Sequence, residues 1–146
     1  IKDNLRRMPI LVEVKEDPPV LGDPQLLKIV VRNLVNNAIK YGREGTPVQV
    51  TLERKGGEAV LTVRNEGVGI SPEDIQNRLF KKFERLKQKG TEGVKGSGLG
   101  LYICKKIVDK HGGRIWAEGE QGSWIAFHVA LPVAAAVGPN QAGTGA

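Results

Sequence analysis

Apolar and polar positions alternate in five stretches, and each stretch predicts a strand. Leu11-Val12-Glu13-Val14-Lys15 is the first, ended by Asp17-Pro18-Pro19. Residues 48–54 and 59–64 alternate and are rich in Val, Leu and Thr, so Lys55-Gly56-Gly57-Glu58 between them predicts a hairpin. Residues 115–118 and 124–131 predict another across Gly119-Glu120-Gln121-Gly122. Helical spacing fills the gaps. Asp23 as N-cap and Pro24 at the first helical position open a helix that reaches Tyr41, with Gly42 as C-cap. Ser71-Pro72-Glu73-Asp74 starts a second, leading through Ile75, Leu79 and Phe80. A third begins near Gly98, carries Leu101, Cys104, Ile107 and Val108 on one side, and closes at His111-Gly112-Gly113. Residues 87–96 are rich in Gly and Lys without periodicity and are expected to form a mobile loop. The order β-α-β-β-α-α-β-β predicts an α+β fold. It is a two-layer α/β sandwich, with a mixed, mostly antiparallel sheet and helices on one face.

The first helix carries the strongest chemical signal. At about 100° per residue, Leu27, Val30, Val31, Leu34 and Ala38 share one sector with Val35 at its edge, while Gln25, Lys28 and Arg32 share a solvent sector. Asn33, Asn36, Asn37 and Lys40 occupy a third, spaced i, i+3, i+4 and i+7. Asparagine is a poor helix former, because its amide competes for backbone hydrogen bonds. Such a face either serves as a solvated surface bonded to neighbouring loops, or presents carboxamide oxygens to a hard cation with Lys40 facing phosphate.

Composition narrows the choices. The chain has 146 residues, 22 basic against 16 acidic, for a net charge of +6, and its 40% hydrophobic content is that of a globular domain. A single cysteine, Cys104, excludes an intrachain disulfide framework, and two histidines argue against a zinc site. No apolar run approaches the roughly 20 residues of a membrane span. The start, Ile1-Lys2-Asp3-Asn4, lacks Met and a signal-peptide core, so a cytoplasmic fragment of a longer protein is expected, with membrane anchoring of the parent left open. Residues 1–8 are assigned to an upstream linker, 9–132 to the domain, and the Ala/Gly/Pro-rich stretch 133–146 to a tail without packing duty. Seven basic and two acidic residues lie between Arg78 and Lys95, placing most of the net charge there. That run is either a solvated loop or a surface steering an anion.

Two glycine clusters bear on the alternatives. Asn65-Glu66-Gly67-Val68-Gly69-Ile70 follows a strand, and Gly96-Ser97-Gly98-Leu99-Gly100-Leu101 opens the third helix. Glycines before a helix let backbone N–H groups approach an anion. Neither cluster is a P-loop or a dinucleotide fingerprint, and each alone is a weak signal. Their joint order is specific. Asn33-Leu34-Val35-Asn36-Asn37-Ala38-Ile39-Lys40-Tyr41 resembles the N box of sensor histidine kinases, and residues 65–70 resemble the G1 box. Leu79-Phe80-Lys81-Lys82-Phe83-Glu84-Arg85 resembles the F box and residues 96–101 the G2 box. The stretch 122–132 is similar to the family's closing strand, so the resemblance covers most of residues 9–132.

That resemblance implies a Bergerat-type ATP-binding fold that binds Mg²⁺–ATP. It implies that Asn37 ligands the Mg²⁺, that Asn33 lies close to the phosphates, that Lys40 neutralises their charge, and that Tyr41 flanks the base or sugar. Position 65 would recognise the exocyclic amine of adenine, in the box completed by Gly67, Gly69 and Ile70. Phe80 and Phe83 would anchor an ATP lid and Arg85 would point to the γ-phosphate, while Gly96, Gly98 and Gly100, with Leu99 among them, supply backbone N–H groups and a hinge. Most members have aspartate where this chain has Asn65. An amide accepts only when turned correctly and lacks charge assistance, so weaker and less selective adenine binding is expected.

The implied activity is transfer of the γ-phosphoryl group to a histidine on a separate dimerisation domain. The parent would be a homodimeric sensor kinase serving a response regulator. This domain itself would contact neither nucleic acid nor membrane. Neither His111 nor His128 has the neighbourhood of a phosphoacceptor, so the fragment alone is not expected to autophosphorylate. Two other readings are a nucleotide-binding regulatory module without phosphotransfer, marked by Asn65, and a basic-surface binding module. The latter lacks the aromatic interleaving of a single-strand binder.

Overall fold

The computed structural model describes residues 8–77, 80 and 100–134. Strands β1 (Ile10–Val14), β2 (Val48–Lys55), β3 (Glu58–Glu66), β4 (Arg114–Glu120) and β5 (Trp124–Pro132) form one sheet in the order β1-β2-β3-β5-β4. Helices α1 (Pro24–Tyr41), α2 (Pro72–Asn77) and α3 (Gly100–Lys110) complete the described elements. β1 runs parallel to β2, as the intervening α1 crossover requires, and the remaining pairs are antiparallel. α1 packs on α3 and on β2 and β3, and α3 also packs on β4. This is the expected α+β sandwich.

Residue choice explains each element. Asp23 Oδ1 accepts from the N–H groups of Gln25 and Leu26 at 2.9 and 3.3 Å, capping α1 ahead of Pro24. α3 ends as Gly112 turns to φ +72° and Gly113 N–H donates back to the Val108 carbonyl at 3.0 Å. His111 ties the two caps together. Its Nε2 accepts from Asp23 N–H at 3.0 Å, and its Nδ1 lies 2.8 Å from the Ile107 carbonyl. The β2–β3 turn uses Gly56 at φ +60°, where a side chain would be strained.

The core lies between the layers. Val30, Leu34 and Ala38 of α1 and Cys104, Ile107 and Val108 of α3 face Val48, Val63, Ile125, Phe127 and Val129 of the sheet. Their spacing is helical on one side and every second residue on the other. The opposite sheet face carries a ladder of polar and aromatic contacts. Trp116 stacks on His128 at 5.1 Å, Arg114 lies over Trp116, and His128 Nε2 meets Glu118 Oε2 at 2.6 Å.

Several boundaries differ from expectation. β4 continues through Gly119 and Glu120, because a Cβ-less residue fits against the Trp124 carbonyl and the Ile70 side chain. α2 ends at Asn77, and Leu79 lies outside the described residues, as do 87–96. Val31, placed in the core sector by helical arithmetic, stays 39% exposed, and β1 leaves Ile10, Leu11, Val12 and Val14 exposed. Packing also passes the expected domain limits at both ends. Met8 packs on the core, Val133 N–H donates to the Gly57 carbonyl and Ala134 N–H to the Pro19 carbonyl. Main-chain pairing, invisible in composition, draws in Val133 and Ala134. Among the described residues no helix is long and apolar enough to cross a membrane.

Candidate functional site

The asparagine face of α1 forms one wall. Its sector adjoins the one in which Val30, Leu34 and Ala38 are buried and fix the rotation of the helix. Asn33 and Asn37 are half-buried, whereas Asn36 and Lys40 are exposed. Asn33 meets α3 at its first residue: a Cβ on Gly100 would lie 3.8 Å from Asn33 Cγ. The Asn33 side chain also bonds the Cys104 thiol, whose Sγ lies 3.8 Å from the Val30 carbonyl. Burial dominates there and pushes the thiol up to about 11, against which the Asn33 bond works only in part. Cys104 is thus a buried neutral packing group.

The turn after β3 forms the second wall and is knitted to the end of α1. Gly42 and Gly67 form an antiparallel bridge, and Arg43 N–H donates to the Glu66 carbonyl at 2.7 Å. Gly67 N–H donates to the Ser123 carbonyl at 3.0 Å and Gly122 N–H to the Val68 carbonyl at 2.7 Å, so the β4–β5 turn supports the same loop. Both glycines are sterically required. A Cβ on Gly67 would run into the Tyr41 carbonyl, and one on Gly69, which sits at φ +67°, into the Glu120 carbonyl. Ile70 is 1% exposed and closes the base of the turn, while Tyr41 is half-buried at its rim.

Asn65 sits at the junction. It pairs with Val48 and Ile125 across three strands and, by alternation with Val63, faces the helices. Its side chain is 1% exposed. Nδ2 donates to the Glu66 carbonyl at 3.2 Å, whereas Oδ1 is buried and accepts from no described residue. A buried acceptor left in that condition costs about 1–3 kcal/mol, and the core would be cheaper with an apolar residue. The neighbouring Glu66 carboxylate is engaged with Arg43 at 2.9 Å at the surface, so it does not reinforce Asn65.

The structure therefore places Asn33, Asn37, Lys40 and Tyr41 along α1, with Gly100 beside Asn33 and the turn that holds Asn65, Gly67, Gly69 and Ile70 tied to the C-terminal end of the helix. Asn33 touches the start of α3 and Tyr41 touches the glycine turn, about 12 Å apart along the helix at 1.5 Å per residue. Phe80 docks edge-to-face on Phe127 of the core, ring centroids 6.4 Å apart. Arg85, Gly96, Gly98 and Leu99 lie outside the described residues, with Phe83 and most of the basic run. Among the described residues no group of three or more His, Cys, Asp or Glu side chains could hold a metal. The available donors are carboxamides, which suit a hard cation carried largely by the oxygens of its ligand. The ties Gly42–Gly67 and Arg43–Glu66 escaped sequence reasoning, because they join residues over 20 positions apart without any periodic signal.

Residues 22–135 match the family described as "Histidine kinase-, DNA gyrase B-, and HSP90-like ATPase". The chain is 38% identical over 131 residues to the adaptive-response sensory kinase SasA of Prochlorococcus marinus (strain MIT 9301), covering 88% of this chain and 35% of that protein. It is 40% identical over 125 residues to the sensor-like histidine kinase SenX3 of Mycobacterium tuberculosis (strain ATCC 25618 / H37Rv), covering 83% and 30% respectively. The chain thus spans about a third of the length of these curated relatives. Among solved structures, the mycobacterial sensor histidine kinase MprB superposes with a TM-score of 0.75 at 33% identity, covering 86% of this chain and 84% of that one. Full-length ShkA in complex with AMPPNP superposes with a TM-score of 0.75 at 28% identity, covering 90% of this chain and 27% of that one.

Proposed function

Because the chain belongs to the histidine kinase-, DNA gyrase B- and HSP90-like ATPase family, and its relatives are sensor kinases, we propose that it is the phosphoryl-donating domain of a two-component kinase. It binds Mg²⁺–ATP along α1 and presents the γ-phosphoryl group to a histidine on a separate dimerisation domain of the same homodimeric, cytoplasmic-facing protein. A response regulator receives the group afterwards. One observation carries this reading: the helix that bears the asparagines meets both glycine motifs, Gly100 beside Asn33 and Gly67 at its C-terminal end through Tyr41 and Gly42.

Each residue then has a task. The carboxamide oxygen of Asn37 serves as the hard ligand for Mg²⁺, and Asn33, one turn earlier, lines the phosphates. When bound, Mg²⁺ would supply positive charge that neutralises the phosphate oxygens. Lys40 adds a second positive charge from the last turn of α1. Asn65 accepts from the base, and Gly67 and Gly69 keep the turn thin enough for a flat ring. Phe80, docked on Phe127, is assigned as the anchor of an ATP lid, Arg85 is assigned to the γ-phosphate, and the glycines at 96, 98 and 100 are assigned as N–H donors to the phosphates. Catalysis is then positioning and charge neutralisation rather than covalent chemistry by the protein.

The test is reconstitution in trans. With γ-labelled ATP this chain alone acquires no label, and adding the parent's dimerisation domain yields acid-labile phosphohistidine on that domain. Label on this chain, or none on the added domain, contradicts the proposal. Unlabelled acceptor despite tight ATP binding would favour a regulatory nucleotide module, the reading suggested by Asn65 in place of aspartate.

A further inference from the structure

The end of α1 and the turn after β3 are joined through very little chain. Gly42 and Gly67 pair as an isolated antiparallel bridge, which sets the next residues, Arg43 and Glu66, opposite each other. These two are bonded twice. Arg43 N–H donates to the Glu66 carbonyl at 2.7 Å, and an Arg43 guanidinium N–H donates to Glu66 Oε1 at 2.9 Å. Arg43 is itself anchored, since its carbonyl accepts both the N–H and the hydroxyl of Thr46. The bridge beside them contributes main chain only, because a Cβ on Gly67 would run into the Tyr41 carbonyl. Side-chain grip at this junction therefore comes from Arg43 and Glu66.

We propose that Arg43 and Glu66 form a clasp that holds the glycine turn at a fixed distance from α1, which makes Arg43 a positioning residue for the nucleotide rather than a group that touches it. The inference rests on the nucleotide-binding reading above. That reading sets Lys40 and Tyr41 on one side of the clasp and Gly67, Gly69 and Ile70 on the other. The ion pair is well exposed, 56% at Arg43 and 40% at Glu66, so it adds little to the stability of the whole domain. Local opening of a turn is a different matter, because it is governed by free energies as small as that of one such pair. A ligand that needs both walls binds only the closed form, so its apparent affinity falls with the closed fraction.

A clasp and a simple charge effect make opposite predictions at Glu66. If Arg43 only attracted the triphosphate, replacing the Glu66 carboxylate by a cation would tighten binding. If the pair is a clasp, losing either partner loosens the turn and weakens binding. The experiment is a calorimetric titration of the full chain with Mg²⁺–ATP, in the unsubstituted protein, Arg43→Glu, Glu66→Arg and the double variant that exchanges the two charges. Each single variant is expected to bind about threefold weaker or worse, and the exchanged pair to return to within about twofold of the unsubstituted protein. Glu66→Gln, which keeps the shape and loses the charge, should weaken binding by about twofold. The thermal midpoint of the free protein should stay nearly constant through the series, which separates a loosened turn from a damaged fold. Unchanged or tighter binding in Glu66→Arg overturns the clasp while leaving nucleotide binding intact, as does a double variant no tighter than either single one. Absence of binding by the unsubstituted chain overturns the nucleotide reading and the clasp with it.

Discussion

At the scale of single residues, the chain separates groups kept for packing from groups kept for a ligand. Cys104 is of the first kind: it is fully buried on α3, and burial pushes its thiol from 9.0 up to about 11. A folded-state value above the unfolded one means a stabilising contribution that is complete below pH 9 and lost as the pH rises towards 11. Denaturant unfolding should therefore show about 2 kcal/mol less stability at pH 10.5 than at pH 8 on this account, and Cys104→Ala should remove that part of the slope. An unchanged slope in the variant would place the alkaline loss elsewhere. Asn65 is of the second kind, buried with an unused oxygen. The sequence identified its position and the missing carboxylate, but the orientation of an amide depends on a carbonyl fixed by Arg43, and no spacing rule encodes that.

At the scale of elements, α1 was the most legible part of the molecule. Its N-cap, first proline, last residue and C-cap were all readable from Asp23, Pro24, Tyr41 and Gly42, since each acts through its own chemistry within a few residues. Val31 was misplaced because helical arithmetic gives a direction but not the extent of the neighbouring layer. The cap now links two elements, as Asp23 N–H also donates to His111 at the end of α3. Asp23→Ala should cost about 1 kcal/mol through the lost side-chain acceptor, measured as a shift in denaturant midpoint with unchanged slope. Asp23→Asn, which keeps the acceptor, should recover most of it. Equal loss in both variants would assign the effect to charge rather than to capping.

At the scale of the whole molecule, the parallel placement of β1 beside β2 and the antiparallel remainder leave one sheet face for helices and seat α1 along the candidate site. The order of elements predicted this, because hairpins pair neighbours and the α1 crossover does not. Contacts joining the two ends of the domain, such as Val20 with Val133, were not legible, for they depend on how distant segments meet. The central claim is that this arrangement binds a metal-complexed nucleotide on the asparagine face. It is tested most directly by titrating the chain with ATP in a calorimeter, with and without Mg²⁺, beside Asn37→Ala. The account predicts binding that requires Mg²⁺ and weakens at least tenfold in Asn37→Ala, with the thermal midpoint of the free protein little changed. Binding that ignores both the metal and the substitution would contradict it.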